Sequence, residues 1–295
     1  MKLLAKFNLI FIVVFGTGLA VAAWLADGFL KQNARDQVIE QARLMMESTL
    51  ATRNYTSKQI KPLLLPREER ERIFLPQTVP AYAATEAFKF IHAQYPDYAY
   101  KEATLNPTNP SDRAVEWEAD VVNNFRNHRD QKDFVGERPT PTGISLFFAR
   151  PIEIKDPGCL ECHNTAAKAP VAVVRQYGRD NGFGWKMNEI IGAQIVSVPE
   201  SVAIAMANKA LKTLLLYLAG VALITLIVLD LVLVATVTRP VSKLSKMADE
   251  ISQGNVHVQE LPVKGRDEIS VLAGSFNRMQ RSLQRAMKLL EGDER

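Results

Sequence analysis

The stretch Cys159-Leu160-Glu161-Cys162-His163 decides how the rest of the chain is read. Two thiols separated by two residues, followed at once by an imidazole, have the spacing of a c-type haem attachment site. In such a site the sulfurs form thioethers to the haem vinyl groups and the histidine reaches the iron. These are the only cysteines in 295 residues. A zinc site needs further ligands, and neither a second Cys-x-x-Cys nor a His-x-x-x-His supplies them. A thioredoxin-like pair opens a helix after a strand, whereas Asp156-Pro157-Gly158 before the motif and residues 164–170 after it predict an irregular loop. Covalently attached haem c is the reading adopted. A redox-active thiol pair and a short-loop disulfide stand as its alternatives.

Haem c is attached on the outer side of a bacterial cytoplasmic membrane, so the flanking apolar runs test the reading. Lys2 and Lys6 precede a nearly uncharged run over residues 7–26, long enough to cross a bilayer as a helix. Ala20-Val21-Ala22 offers a signal-peptidase site as the competing interpretation, but the run is long for a signal core and carries Trp24 at its outer end, where an aromatic anchor belongs. A second run over 214–237 is apolar apart from Asp230 and is followed by Arg239, Lys243 and Lys246. Basic residues at these flanks place both chain ends in the cytoplasm and residues 31–210 in the periplasm, the side on which the motif needs to lie. Asp230 is costly inside a span. It is either a switch element or a polar side chain turned into a helix contact, and it is given no role.

Outward from the motif, residues 144–154 predict a strand ending just before it, 171–177 a short helix after it, and 190–198 a last strand. Pro199 opens a helix that enters the second span. Upstream, 31–60 predicts a stalk helix continuing the first span, with Val38, Ala42, Met45 and Thr49 on its buried face and Pro62 and Pro66 ending it. Residues 66–80 predict a loop, 81–94 a helix, 98–105 a strand and 106–110 a turn. Ser111 or Asp112 then caps a helix through Trp117, Val121, Val122 and Phe125. The fold class is therefore α+β. An antiparallel sheet crossed by helices forms a PAS-like or Cache-like domain between two transmembrane helices, with an α-helical unit after the second.

In that last unit Arg239-Pro240 opens a helix with Val241, Leu244, Ala248 and Ile251 at three-four spacing, and Gly254 ends it. A connector carries Val256, Val258 and Leu261. Asp267-Glu268 then begin a second helix whose Ile269, Leu272, Phe276, Met279, Leu283, Ala286 and Leu290 form a heptad seam that needs partner helices. A parallel four-helix bundle in a homodimer fits this pattern. A plain coiled-coil stalk fits less well, because of the Gly254 break.

The division expected is residues 1–30 for the cytoplasmic tail and first span, 31–209 for the periplasmic domain, 210–237 for the second span, 238–291 for the helical unit and 292–295 for a tail. Hydrophobic content of 47% and a net charge of +4 suit this mixture, and no basic run interleaved with aromatics points to nucleic acid. The contacts expected are membrane lipid and protein.

The segment from Pro240, with Asp267-Glu268-Ile269, Leu272, Phe276-Asn277 and Met279, resembles a HAMP signalling linker. The outer segment contains Tyr100-Lys101-Glu102-Ala103-Thr104-Leu105-Asn106-Pro107, Ala149-Arg150-Pro151-Ile152, the haem motif, Gly182-Phe183-Gly184-Trp185 and Gly192-Ala193-Gln194-Ile195. It resembles the c-type-haem, PAS-like sensor domain of unknown function found upstream of HAMP linkers. The resemblance implies a haem-based transmembrane receptor that passes a redox or small-ligand signal to a cytoplasmic partner such as a kinase or cyclase. No output region follows in this sequence, so the output is a separate protein or the chain is a truncated form.

On that reading His163 is the proximal iron ligand, with Cys159 and Cys162 as the anchors. Candidates for the sixth position are His92, His128, Met187, and Tyr55 with Asn54, and a vacant position is equally compatible. Arg150, Arg175 and Arg179 could pair with haem propionates, and Phe147, Phe148, Phe183 and Trp185 could line the pocket. The competing functions are a membrane-tethered c-type cytochrome in electron transfer, for which the helical unit is superfluous, and an enzyme, for which no acid/base histidine stands beside the motif.

Overall fold

The computed structural model describes residues 3–141, 143–255, 257–263 and 265–292. Lys2 and Val256 lie outside the described residues, as does the side chain of Leu290. The chain divides into two compact units: Asp27–Leu211, and the segments flanking it up to Ala26 and from Lys212.

Helix α1 (Leu3–Tyr55) contains the first apolar run and the stalk. It does not stop at the prolines. A five-residue π-helical turn, Thr56–Ile60, leads directly into α2 (Lys61–Glu71), which holds Pro62 in its first turn and Pro66 in its interior. The wide turn frees the carbonyl that Pro62, lacking an N–H, cannot bond, and a first-turn proline costs a helix little. The chain leaves helix only at Arg72, which is left-handed at φ 53°. A 3-10 turn (Pro76–Thr78) precedes α3 (Pro80–Gln94), which starts on proline as helices favour.

Strands β1 (Ala99–Thr104), β2 (Phe134–Thr140), β3 (Gly143–Glu153) and β4 (Ile190–Pro199) form one antiparallel sheet in the order β1-β4-β3-β2. Helix α4 (Glu116–Asn127) is capped by neither Ser111 nor Asp112. Pro110–Asp112 is a separate 3-10 turn, and the Glu118 carboxylate accepts the Val115 N–H at 2.9 Å at the true start. The two-residue alternation of strands sorts the core into two faces. Leu146, Phe148, Val196 and Val198 pack with Val38, Ile39, Ala42 and Met46 of α1 and with Ala203 and Ala207 of α7 (Glu200–Leu233). Phe147, Ala149, Ala193 and Ile195 pack with Val121, Val122 and Phe125 of α4. Stalk and return helix thus share one hydrophobic layer against the sheet. Met46 occupies the fully buried position expected of Met45, which is only partly buried.

In the second unit, α7 passes through another π-helical turn, Val234–Thr238, into α8 (Arg239–Ser252). Arg239-Pro240 therefore does not open a new helix. As at Pro62, a widened turn lets the helix run past a proline. Gly254, at φ 94°, ends the helical run as expected. Helix α9 (Glu268–Gly292) clamps the connector: Asn277 accepts the Leu261 N–H at 3.1 Å and donates to the Leu261 carbonyl at 2.8 Å, and Gln280 donates to the Val258 carbonyl at 2.6 Å. Leu272, Met279 and Leu283 of the heptad seam stay 41–51% exposed in the single chain.

The helical runs Leu3–Glu71 and Glu200–Ser252 are each long and apolar enough to cross a membrane. Near the start of one apolar run and the end of the other, Asn8 Nδ2 donates to Asp230 Oδ2 at 3.0 Å. Asp230 is thus turned into a polar helix contact.

Candidate functional site

The motif follows β3 directly. The Ile154 N–H donates to the Glu189 carbonyl at 2.9 Å and the Asn188 N–H to the Ile154 carbonyl at 2.8 Å, which closes the sheet end beneath it. The Asp156 carboxylate accepts the Gly158 N–H at 2.8 Å and starts a 3-10 turn, Pro157–Cys159, that runs into the single helical turn α5 (Leu160–His163). The irregular loop expected here is therefore helical, because an aspartate capping its own turn offsets the Pro-Gly pair. Helical spacing puts Cys159, Cys162 and His163 on neighbouring positions of one side. A helical turn no longer argues against a redox-active thiol pair, so that distinction falls to the surroundings.

Neither cysteine is in a disulfide, and both are half-buried. Burial pushes both thiols above their ordinary value. Asp156 adds to the rise at Cys159, while Lys61 opposes it at both and Arg53 at Cys159. Reactive thiolates need the opposite shift, and the species that adds across a vinyl group is an S–H. Among the described residues, no group of three or more His, Cys, Asp and Glu side chains could hold a metal ion.

His163 is fixed on two sides. Its Nδ1 stands 2.7 Å from the Gly182 carbonyl, which can only accept, so Nδ1 carries the proton and Nε2 the lone pair. The ring stacks on Trp185 with centroids 3.8 Å apart and planes within 13°. Trp185 also donates its backbone N–H to the His163 carbonyl at 3.2 Å. Burial lowers the imidazole's pKa, partly offset by the Gly182 hydrogen bond, so the neutral form prevails near pH 7. A neutral imidazole with a free Nε2 and an anchored Nδ1–H is what an iron ligand requires. Two half-buried S–H groups on the same turn complete a donor set that fits a covalently held haem.

A buried polar cluster closes the neighbouring end of the stalk. Arg53 of α1 pairs with Glu102 of β1, whose carboxylate accepts the Tyr100 hydroxyl at 2.8 Å. That hydroxyl accepts from Gln194 at 2.9 Å. Glu102 is 3% exposed. Lys61 lies 3.6 Å from Glu161, between the two cysteines. Burial, with Glu102 adding to it, raises the Asp112 carboxyl to about 6. Sequence reasoning missed Arg53 and Glu102, since an Arg on a helix 49 residues upstream of a strand Glu carries no local signal.

Other expected residues are placed as follows. His92 Nδ1 is bound to the Tyr98 carbonyl at 2.6 Å in the last turn of α3, and His128 Nδ1 to the Asn124 carbonyl at 3.0 Å at the end of α4. Met187, Asn54 and Tyr55 are exposed. None of these is among the hydrogen-bond or ring partners of His163. Arg150 is already held by Asp133 and Glu47, both at 2.6 Å, which leaves it no fork for a propionate. Phe147 and Phe148 are core residues on opposite faces of the sheet, so neither lines the motif. Arg175 and Arg179 are exposed, and of the four aromatics Trp185 alone touches His163.

The profile of the HAMP domain matches residues 232–285. The sensor histidine kinase WalK of Bacillus subtilis is 35% identical over 108 residues, 36% of this chain and 17% of the kinase. The sensor protein kinase WalK of Staphylococcus saprophyticus is 30% identical over 76 residues, 26% of this chain and 12% of the kinase. The chain thus spans under a fifth of either relative's length. The crystal structure of the cyanobacterial heme-protein Tll0287 aligns with a TM-score of 0.43 at 16% identity, over 55% of this chain and 95% of that one. The Tll0287-like profile matches residues 31–199, more than half of the sequence, and the protein belongs to the Tll0287-like family with a HAMP domain after it.

Proposed function

We propose that this protein is a non-enzymatic membrane receptor whose periplasmic domain carries haem c on Cys159, Cys162 and His163, and whose HAMP domain passes the state of that haem to a cytoplasmic partner. The observation that carries the reading is the state of His163: neutral, stacked on Trp185, with Nδ1–H given to Gly182 and Nε2 left for iron. Family membership supports it, since the protein for which the family is named is a heme-protein. The bound group would supply a redox-active iron with an exchangeable coordination position. The chain's own part is to fix the ligand ring, hold the two thiols protonated until they react, and partly shield the site from water.

The fold supplies a route for the signal. The motif is tied to the upstream helices through Lys61–Glu161, and the stalk and return helix share one layer against the sheet. A shift at the motif would move α1 against α7, and α7 runs on into the second span and α8. The Asn8–Asp230 contact, between the start of the first apolar run and the end of the second, fits antiparallel spans with both chain ends in the cytoplasm and residues 31–209 outside in the bacterial inner membrane. The uncovered heptad seam fits a homodimer. Kinase output belongs to the WalK relatives, and here a kinase-type partner supplied separately is part of the proposal. A sixth ligand drawn from His92 would require its bond to the Tyr98 carbonyl to break.

The test separates a sensor from an electron carrier. An environment-sensitive dye on α9, attached at S275C in the purified full chain, should change emission between the oxidised and reduced protein, and the change should vanish in H163A. Equal emission in both states, with rapid electron exchange with soluble donors, would establish the carrier instead.

A further inference from the structure

We infer that Asn106 is a positioning residue for His163, acting through the glycine loop that holds the imidazole. The inference rests on the proposed haem site for its consequence, though not for its geometry. Asn106 lies just beyond β1 and before Pro107, a placement that restricts it to extended backbone. Its side-chain oxygen accepts the Gly182 N–H at 3.1 Å, and its side-chain nitrogen donates to the Phe183 carbonyl at 3.0 Å. Both ends of the amide are used, one as acceptor and one as donor, so no other residue of its size satisfies both.

Each bond falls on a peptide that matters to His163. The Gly182 residue whose N–H Asn106 holds presents the carbonyl that receives the His163 proton. The Phe183 carbonyl it also holds lies two residues before Trp185, whose ring covers the imidazole. Gly182 is left-handed at φ 80°, and a Cβ there would stand 2.1 Å from Thr108 Oγ1, so the loop is seated against residues 106–108 as a unit. An anchored Nδ1–H fixes the ring tautomer and raises the basicity of Nε2. By holding the acceptor in place, Asn106 sets how strongly His163 can donate to iron.

The test uses the full chain in two forms. In histidine-15N-labelled protein from cells lacking cytochrome maturation, the wild-type His163 spectrum should show a protonated Nδ1 and a bare Nε2. N106A should move it toward tautomer averaging. N106D, which keeps the acceptor and loses the donor, should fall between, and N181A, which removes only the exposed Arg113 contact at 2.9 Å on the same loop, should match wild type. In haem-loaded protein, N106A should raise the reduction potential while keeping covalent haem. Wild-type nitrogen shifts and an unchanged potential in both N106A and N106D would overturn the inference. Altered nitrogen shifts in a protein that never acquires haem would uphold the positioning role and refute the haem reading.

Discussion

Replacing Gly182 by alanine tests the seat of the ligand loop most sharply. The residue sits at φ 80°, and a left-handed conformation costs an L-residue about 1–2 kcal/mol. The new methyl would lie 2.1 Å from Thr108 Oγ1 and 2.8 Å from Thr108 Cα. The hydroxyl can rotate away but the backbone carbon cannot, so the loop must shift, at about 1–3 kcal/mol for overpacking of this kind. A central sum is about 3 kcal/mol, which lowers the melting temperature of the Asp27–Leu211 unit by about 6–12 °C. Thermal unfolding of that unit followed by circular dichroism reads the loss, and the double variant T108A/G182A should recover about 1 kcal/mol, because it removes the hydroxyl contact but not the backbone one. Covalent haem yield should fall in parallel as the Gly182 carbonyl leaves His163. A G182A variant melting within about 1 °C of wild type would refute the reasoning, since the cost follows from backbone geometry alone.

Arg53→Ala should cost about 3–5 kcal/mol in denaturant unfolding, because it strands the Glu102 carboxylate, and R53A/E102Q should recover much of it. Asp112 has a folded value near 6 against an ordinary 3.8, so its protonated form is favoured by the fold; the stability it contributes is present below about pH 4 and lost as pH rises through 6. Asp112→Asn should therefore stabilise the protein at pH 7 by about 1–2 kcal/mol after allowance for solvent screening, and have little effect at pH 4. In detergent unfolding of the full chain, Asn8→Ala and Asp230→Ala should each cost about 1 kcal/mol, and the double variant no more than either alone.

The sequence made the architecture plain wherever one local pattern governed. Alternating Leu146, Phe147, Phe148 and Ala149 marked β3, the spacing of Val121, Val122 and Phe125 marked α4, and two long apolar runs marked the spans. Cys159, Cys162 and His163 were legible because covalent haem needs a fixed local spacing. What stayed hidden was nonlocal. Strand β2 contains Gly136 and Pro139 and is made a strand by its pairing with β3, Gly136 lying opposite Phe147. The prolines at 62 and 240 looked like helix ends, yet a single widened turn before each carries the helix on. Arg150 looked free for a propionate until Asp133 and Glu47, brought in by the fold, claimed it. The importance of Asn106 and Gly182 likewise appears only when loops 76 residues apart meet.

The central claim is that an iron porphyrin is bonded to this turn of the chain. Full-length protein expressed with the cytochrome maturation machinery should be denatured, digested and weighed by mass spectrometry. The account predicts that the peptide carrying Cys159 to His163 is heavier by one haem, and that C159A/C162A abolishes the addition. A peptide of unmodified mass, or two sulfurs joined to each other, from cells that mature other c-type cytochromes would contradict it.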